Sequence, residues 1–249
     1  MRRPLIAGNW KMHLAIPAAR ALAAAVGKAA EGVGDRDVLI APPFTMLAAV
    51  REAAGNRVLL AGQNVCWEEQ GAFTGEIAPG MLREVGCTMA IVGHSERRQI
   101  FGETNGLVNR RVAGAIKFGL VPILCIGETL NEREAGAAFA VLETQLKEGL
   151  AGIDVAGAEQ LVIAYEPVWA IGTGKTATAE QAQEVHAFVR QTLASLFEKN
   201  IAGQMRILYG GSVNPANVDE LMRQADVDGA LVGGAALKAE SFERIIHFQ

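Results

Sequence analysis

The sequence contains few cysteines and no long apolar run among its 249 residues. Its three cysteines, Cys66, Cys87 and Cys125, form an odd, sparse set without metal-ligand spacing, which is typical of reduced thiols. No apolar run approaches the roughly 18 residues that a membrane-spanning helix needs. The basic first residues are followed by no long apolar stretch, so we expect no signal peptide and a cytoplasmic location.

The sequence also lacks an excess of positive charge. Its formal net charge is −4, so nothing indicates the basic surface that nucleic-acid-binding proteins present. This total still allows a local positive site for an anionic substrate. No two histidines have metal-ligand spacing, so we predict no metal site; they lie at His13, His94, His186 and His247.

Motifs for nucleotide binding are missing as well. Gly174-Lys175-Thr176 is similar to the end of a P-loop, but Trp169 stands where that motif requires its first glycine. No GxGxxG motif follows a predicted strand. We therefore expect no nucleotide binding and no cofactor.

Short apolar runs typical of buried strands recur eight times along the chain. Stretches of helical pattern separate them, for example Asn105 to Lys117 and the helix that a capping box of Thr178 and Gln181 opens. Such alternation indicates parallel βαβ units. Eight units in this length favour an α/β fold, the closed (β/α)8 TIM barrel, and the lack of a linker predicts a single domain over residues 1–249. The predicted strands are Leu5–Gly8, Val38–Ala41, Val58–Ala61, Met89–Val92, Val121–Ile126, Leu161–Tyr165, Met205–Tyr209 and Gly229–Val232.

In such barrels the chemistry lies at the carboxyl ends of the strands, and a carboxylate follows the sixth predicted strand there. Pro167 cannot continue a central strand and holds Glu166 in extended geometry at its mouth. The loop that follows is apolar and contains Gly172 and Gly174, as expected of a lid over a carboxylate. An ordinary turn with a solvated glutamate is the alternative.

Two further strands are followed by polar side chains. Asn9 and Lys11 are two residues apart after the first strand, so in an extended segment they face the same side. A lysine there is either the partner of an anion or a surface side chain. After the fourth strand, Ser95 is a plausible N-cap, which places His94 against a helix N-terminus and favours a neutral imidazole.

Paired glycines follow the last two strands. Gly210-Gly211-Ser212 comes after the seventh strand, with Pro215 predicted to open the next helix, and Gly233-Gly234 comes after the eighth. Glycine pairs allow backbone N–H groups to approach a ligand, and in these barrels both loops often bind phosphate. Two tight turns without a ligand are the alternative.

These segments together resemble the triosephosphate isomerase family. They occur in the family's order from residue 8 to residue 235, so the similarity spans almost the whole chain. The similar motifs are Gly8-Asn9-Trp10-Lys11, Gly71-Ala72-Phe73-Thr74-Gly75-Glu76, Gly93-His94-Ser95-Glu96-Arg97-Arg98, Ala164 to Lys175, Tyr209-Gly210-Gly211-Ser212-Val213 and Val232-Gly233-Gly234-Ala235.

The resemblance implies an isomerase of glycolysis and gluconeogenesis that interconverts dihydroxyacetone phosphate and D-glyceraldehyde 3-phosphate through an enediolate. It implies Glu166 as the base and His94 as the electrophile that polarises the carbonyl. It also implies that Lys11 stabilises charge and holds phosphate, and that Asn9 orients the substrate. Glu96 and Cys125 also match family residues near the site. The residues implied to bind phosphate through the backbone are Gly172, Ser212, Gly233 and Gly234.

The stretch Asn64–Glu76 is long for a loop between a strand and a helix. It carries Trp67 and Phe73, and exposed aromatic residues on a long loop suggest a partner surface. The resemblance implies that this loop inserts beside the active site of a neighbouring subunit, which makes a homodimer.

Two other functions are compatible with a phosphate-binding barrel. One is a different enzyme, such as an aldolase or a sugar-phosphate epimerase, and Lys11 is the one lysine that we could assign to a Schiff base. The other is a barrel that binds a phosphorylated metabolite without converting it. The combination of base, electrophile and lid argues against the second.

Overall fold

Eight parallel strands form a closed barrel in the order in which they occur in the chain, which confirms the predicted fold class. The structure, a computed structural model, describes residues 2–171 and 176–249. Within these ranges no helix is long and apolar enough to cross a membrane. The strands are β1 (Leu5–Asn9), β2 (Asp37–Ala41), β3 (Val58–Gly62), β4 (Met89–Val92), β5 (Val121–Ile126), β6 (Val162–Tyr165), β7 (Arg206–Tyr209) and β8 (Gly229–Val232).

Helices surround the barrel, and the predicted helix at Asn105–Lys117 is confirmed. The capping box is also confirmed, since the side chains of Thr178 and Gln181 each bond the other residue's backbone N–H. The helices are α1 (Ile16–Ala30), α2 (Leu47–Ala54), α3 (Pro79–Glu84), α4 (Ser95–Phe101), α5 (Asn105–Lys117), α6 (Leu130–Glu134), α7 (Ala138–Gly149), α8 (Ala179–Leu196), α9 (Lys199–Ala202), α10 (Val218–Met222) and α11 (Ala239–Ile246).

The strands are buried on both faces, which explains their continuous apolar sequences. Successive side chains of β1 point to opposite sides: Leu5 and Ala7 pack inside the barrel, whereas Ile6 packs against the surrounding helices. The predicted strands agree with the observed ones to within one residue at each end, because this pattern of apolar runs is set by burial.

One predicted helix start is wrong. Pro215 does not open a helix, and α10 begins at Val218. The side chain of Asn214 accepts a hydrogen bond from the N–H of Ala216 at 2.9 Å, and the side chain of Asn217 accepts one from the N–H of Asn214 at 2.8 Å. These bonds form a turn that competes with helix geometry.

The long loop Asn64–Glu76 is held against α5. Arg111 is buried and binds both carboxylate oxygens of Glu76 at 2.7 Å. The prediction of exposed aromatic residues on this loop is wrong, because Trp67 and Phe73 are half-buried and pack edge to face with ring centroids 5.4 Å apart. The loop is therefore an ordered part of the surface.

A network of charged side chains joins the amino-terminal ends of the strands. The buried carboxylate of Asp228 accepts hydrogen bonds from Arg2, from Arg190 at 2.6 Å and from the N–H of Ile207 at 2.9 Å. Arg190 also donates to the carboxylate of Asp226 at 2.6 Å. The network connects the chain's first residues, α8, β7 and β8.

We predict that Asp228→Ala lowers the free energy of unfolding by about 3–5 kcal/mol, because it leaves Arg190, whose side chain is only 14% exposed, with fewer partners. Glu52→Ala removes the partner of Arg20 in an exposed pair with side chains 47% and 67% exposed and is the matched control. It should change stability by less than about 1 kcal/mol. Urea unfolding at one protein concentration measures both values, and equal effects would contradict the role of Asp228.

His186 on α8 lies fully buried between two strands. Its Nδ1 is 3.2 Å from the carbonyl oxygen of Asp226, and its ring lies 5.9 Å from that of Tyr165 and 6.3 Å from that of Tyr209. Burial lowers the pKa of His186 from 6.5 to about 4, and the charge of Arg190 acts in the same direction.

This burial predicts a loss of stability in acid. Above pH 6.5 His186 is neutral in both states, but between pH 6.5 and about 4 only the unfolded chain gains its proton. The free energy of unfolding should therefore decrease as the pH falls through this range, by up to about 1.4 kcal/mol per pH unit from this group. In urea unfolding, the free energy of unfolding of His186→Asn should depend less on pH than that of the wild type. The control His247→Asn, at an exposed histidine, should have the pH dependence of the wild type. An unchanged slope in His186→Asn would contradict the assignment.

Candidate active site

The candidate active site is a cavity of about 360 Å³ at the carboxyl ends of the strands. It brings together residues that lie far apart in the sequence. The predicted Gly172 lies outside the described residues. The other predicted site residues all line the cavity, and they are Asn9, Lys11, His94, Glu166, Ser212, Gly233 and Gly234.

Glu166 lies immediately after β6, and its N–H continues the strand ladder by bonding the carbonyl oxygen of Ile126 at 2.7 Å. Its side chain is only 2% exposed, so the alternative of a solvated glutamate is wrong. The carboxylate accepts hydrogen bonds from the N–H of Ser95 at 2.9 Å and from Nε2 of His94 at 2.9 Å.

These partners decide the charge of Glu166. Burial raises the pKa of the Glu166 carboxyl group. Electrostatic attraction and hydrogen bonding to His94, the hydrogen bond from the N–H of Ser95 and the charge of Lys11 together lower this pKa by more than burial raises it. The net pKa lies below the ordinary value, so the group is a carboxylate at neutral pH. A buried, ionised carboxylate is suited to accept a proton.

His94, and not Ser95 as predicted, is the N-cap of α4. The prediction is wrong by one residue because the imidazole itself caps the helix: its Nδ1 accepts a hydrogen bond from the N–H of Glu96 at 3.2 Å. Nδ1 therefore carries no proton, and Nε2 carries the proton that it donates to Glu166. The hydrogen bond to Nδ1 therefore favours the neutral form of the ring.

The pKa of His94 reflects opposing influences. Burial lowers it, whereas the charge and hydrogen bond of Glu166 raise it above 6.5. The raised pKa thus depends on Glu166 as a partner. Once the carboxylate moves away, burial and the positive end of α4 remain, and both favour the neutral ring.

Lys11 is held in an uncommon backbone conformation. Its φ of 51° lies in the left-handed region, so the segment is not extended and the predicted geometry is wrong. The side chain of Asn9 accepts a hydrogen bond from the N–H of Lys11 at 3.0 Å, and Gln63 donates to the carbonyl oxygen of Lys11 at 2.7 Å. Both predicted side chains still line the cavity.

The ammonium group of Lys11 pairs with Glu96, whose Oε1 lies 2.6 Å from Nζ. Glu96 Oε2 also lies 3.6 Å from His94 Nδ1, so one carboxylate connects the cation and the imidazole. A Schiff-base enzyme needs a lysine that attacks as a free amine, and this carboxylate does not favour one. Lys11 is the one candidate for a Schiff-base lysine, so the structure does not support the aldolase alternative.

Residues of the loops after β7 and β8 also line the cavity. Ser212, Gly233 and Gly234 lie at the ends of β7 and β8, and a short 3-10 helix begins at Gly234. A side chain at Gly210 would meet Glu166, since a Cβ atom there would lie 2.8 Å from its Cγ. Small residues thus leave room for an anion beside N–H groups and Lys11.

Sequence reasoning missed Glu128. It is fully buried two residues after β5, and its Oε1 accepts hydrogen bonds from Tyr165 at 3.1 Å, Trp169 at 2.9 Å and Arg133 at 3.1 Å. Through its hydrogen bond with the indole, Glu128 fixes the position of Trp169, near the start of the loop that follows Glu166. The rule that functional side chains follow strands would have found it.

Cys125 is the fifth residue of β5 and is fully buried. Burial and the neighbouring Glu166 carboxylate raise the pKa of its thiol well above the ordinary value. It is thus a neutral thiol beside the carboxylate at neutral pH.

Comparison with known proteins shows the family of the chain. The sequence matches the family model described as "Triosephosphate isomerase" over residues 4–249. A relative of that name from Syntrophotalea carbinolica is 55% identical over 250 aligned residues, which cover 100% of this chain and 99% of the relative. Relatives from Geobacter metallireducens and Trichlorobacter lovleyi are 54% and 53% identical, with 100% of both chains covered in each case. The chain therefore belongs to the triosephosphate isomerase family, as its motifs predicted.

Proposed function

We propose that the chain interconverts dihydroxyacetone phosphate and D-glyceraldehyde 3-phosphate, with Glu166 as the base. The reaction follows from the family, and membership makes the chain an aldose–ketose isomerase. The assignment of steps to residues is our own. The observation that carries it is a buried carboxylate beside a neutral imidazole, in one cavity with a lysine and paired glycines.

The reaction requires one proton to move between adjacent carbons. The Glu166 carboxylate takes the proton from the carbon next to the carbonyl, and the carbonyl oxygen gains negative charge as the enediolate forms. His94 donates a hydrogen bond from Nε2 to that oxygen, and Lys11 stabilises the charge. Glu166 then returns its proton to the neighbouring carbon. The hydroxyl group on the first carbon gives up its proton and becomes the new carbonyl, and the oxygen that held the negative charge takes up a proton and becomes the new hydroxyl group.

Glu166 has to change partners to act in this way. In the structure one carboxylate oxygen of Glu166 accepts a hydrogen bond from Ser95 and the other accepts one from His94. Neither oxygen is therefore free to take a proton from a substrate. Movement away from Ser95 frees the carboxylate and releases Nε2 of His94 for the substrate oxygen. The binding energy of the phosphate group can drive this step.

The phosphate group belongs beside Ser212, Gly233 and Gly234, because backbone N–H groups and the Lys11 cation are available there. Gly172 would complete this set from the predicted lid. Since Glu128 binds the indole of Trp169 at 2.9 Å, the beginning of that loop has a fixed position from which it can close.

A homodimer is the assembly that we propose. Exposed apolar side chains occur beside the loop Asn64–Glu76 and on α4: Met12 is 92% exposed, Ile100 70% and Phe101 67%. Large apolar residues that are this exposed favour a protein interface. A single domain over residues 1–249, a cytoplasmic location and the lack of a cofactor stay predictions.

We predict that Glu166→Gln lowers kcat by about 10²–10⁴-fold, because an amide cannot accept the proton. Affinity for glycerol phosphate should stay within about tenfold, or roughly 1.4 kcal/mol. Isomerisation of D-glyceraldehyde 3-phosphate, read through coupled NADH oxidation, measures turnover.

Exposed Glu198→Gln is the control for this substitution and should match the wild type. Full turnover in Glu166→Gln would exclude Glu166 as the base. A folded wild type that binds glycerol phosphate but has no turnover would instead favour the metabolite-binding alternative.

We predict that Phe101→Glu dissociates the homodimer, because it replaces an apolar side chain at the proposed interface by a carboxylate that has to lose its water. Sedimentation velocity at micromolar concentration should show a monomer. Leu196→Glu, at an apolar side chain 36% exposed on α8, is the control and should remain dimeric. A dimeric Phe101→Glu protein would contradict this interface.

A further inference from the structure

We propose that Gln145 on α7 is a positioning residue for the catalytic base, although it lies outside the cavity. The inference rests on the proposed role of Glu166. Gln145 is half-buried and carries no charge, and nothing in its sequence context indicates a function. Its contacts identify it.

The side-chain amide of Gln145 makes two hydrogen bonds to the backbone of a single residue, Gly127, in the loop after β5. Its Oε1 accepts from the N–H of Gly127 at 2.8 Å, and its Nε2 donates to the carbonyl oxygen of Gly127 at 3.1 Å. A neighbouring strand would offer the same donor and acceptor. The side chain therefore replaces a strand at this position.

A replacement is needed because β4 ends before β5 does. The last partners of the two strands are Val92 and Leu124, so backbone groups beyond them need other partners on that side. Arg98 donates to the carbonyl oxygen of Cys125 at 3.1 Å, and Gln145 binds Gly127 two residues further on. Two side chains thus continue the ladder to the rim of the site.

Gly127 in turn packs tightly against the base. A Cβ atom at Gly127 would lie 1.7 Å from the carbonyl oxygen of Glu166, so the two backbones are in direct contact. The residues on both sides of Gly127 also bind this segment: the carbonyl oxygen of Ile126 accepts from Glu166 at 2.7 Å, and that of Glu128 accepts from Val168 at 3.1 Å.

These contacts leave little freedom between Gln145 and Glu166. A shift of the Gly127 peptide moves the surface on which the Glu166 backbone rests, and it also moves Glu128, which holds Trp169. Catalysis is sensitive to such shifts, since a displacement of about 1 Å can lower a rate by roughly 10²-fold. The amide of Gln145 binds Gly127 after β5, whereas the proposed phosphate-binding residues Gly233 and Gly234 follow β8.

The test compares Gln145→Met with Asn109→Leu in the full-length protein. Methionine keeps the length of glutamine but loses both hydrogen bonds. Asn109 is a matched control, because its amide donates to the carbonyl oxygens of Gly149 at 3.1 Å and Ala151 at 2.9 Å, and none of these residues lines the cavity. Both substitutions remove two hydrogen bonds to backbone, so their effects on unfolding should be similar.

For Gln145→Met we expect kcat to fall by about 10–100-fold, while KM and the inhibition constant of inorganic phosphate change less than about threefold. Asn109→Leu should keep the wild-type kcat. Gln145→Glu keeps the acceptor for the N–H of Gly127 and loses the donor, so its kcat should lie between those of the wild type and Gln145→Met. It also provides the measurement if Gln145→Met does not fold.

The outcomes separate the positioning role from a structural one. Wild-type kcat in a folded Gln145 variant, or an equal loss of kcat in Asn109→Leu, would overturn the positioning role. A proportional rise in KM and in the phosphate inhibition constant would also overturn it, because it would place the effect at the phosphate site. An inactive wild type would overturn the proposed function itself, and this inference with it.

Discussion

The closed ring of parallel strand ladders is the constraint on which the rest of the molecule depends. Because all eight strands run in the same direction, their carboxyl ends meet at one rim, and residues as distant in sequence as Asn9 and Gly234 share a cavity. The opposite rim can then be used for stability. It carries the charged network around Asp228, which has no contact with the chemistry.

The ladder ends unevenly at the functional rim, and side chains take over where backbone partners are missing. Arg98 and Gln145 bind carbonyl and N–H groups beyond β4. Gln63 donates to the carbonyl oxygens of Lys11 in the loop after β1 and of Ala41 at the end of β2. The base therefore rests on a framework built partly from side chains. This arrangement lets the loops differ in path from the strands without leaving polar groups unpaired.

The fold could be predicted from sequence because burial leaves a strong periodic signal, and the strands agree to within one residue. The residues of the cavity could be predicted because they follow strands directly. Other features carry no local signal. The conformation of Lys11 and the bonds of Gln145 depend on partners distant in the chain, Gln63 and Gly127. The imidazole cap at His94 is local, but histidine is not among the residues that usually cap a helix. Glu128 does follow a strand, but its role becomes visible only from its hydrogen bonds with Tyr165 and Trp169, which the sequence does not show.

The left-handed conformation of Lys11 has a consequence for attempts to improve the protein. A non-glycine residue with φ of 51° is strained, at about 1–3 kcal/mol, and replacement by glycine would relieve that strain. A selection for thermal stability alone would thus favour glycine at this position and remove the cation from the cavity. Stability and function make opposite demands on this residue, so a library screened for heat resistance should keep it fixed.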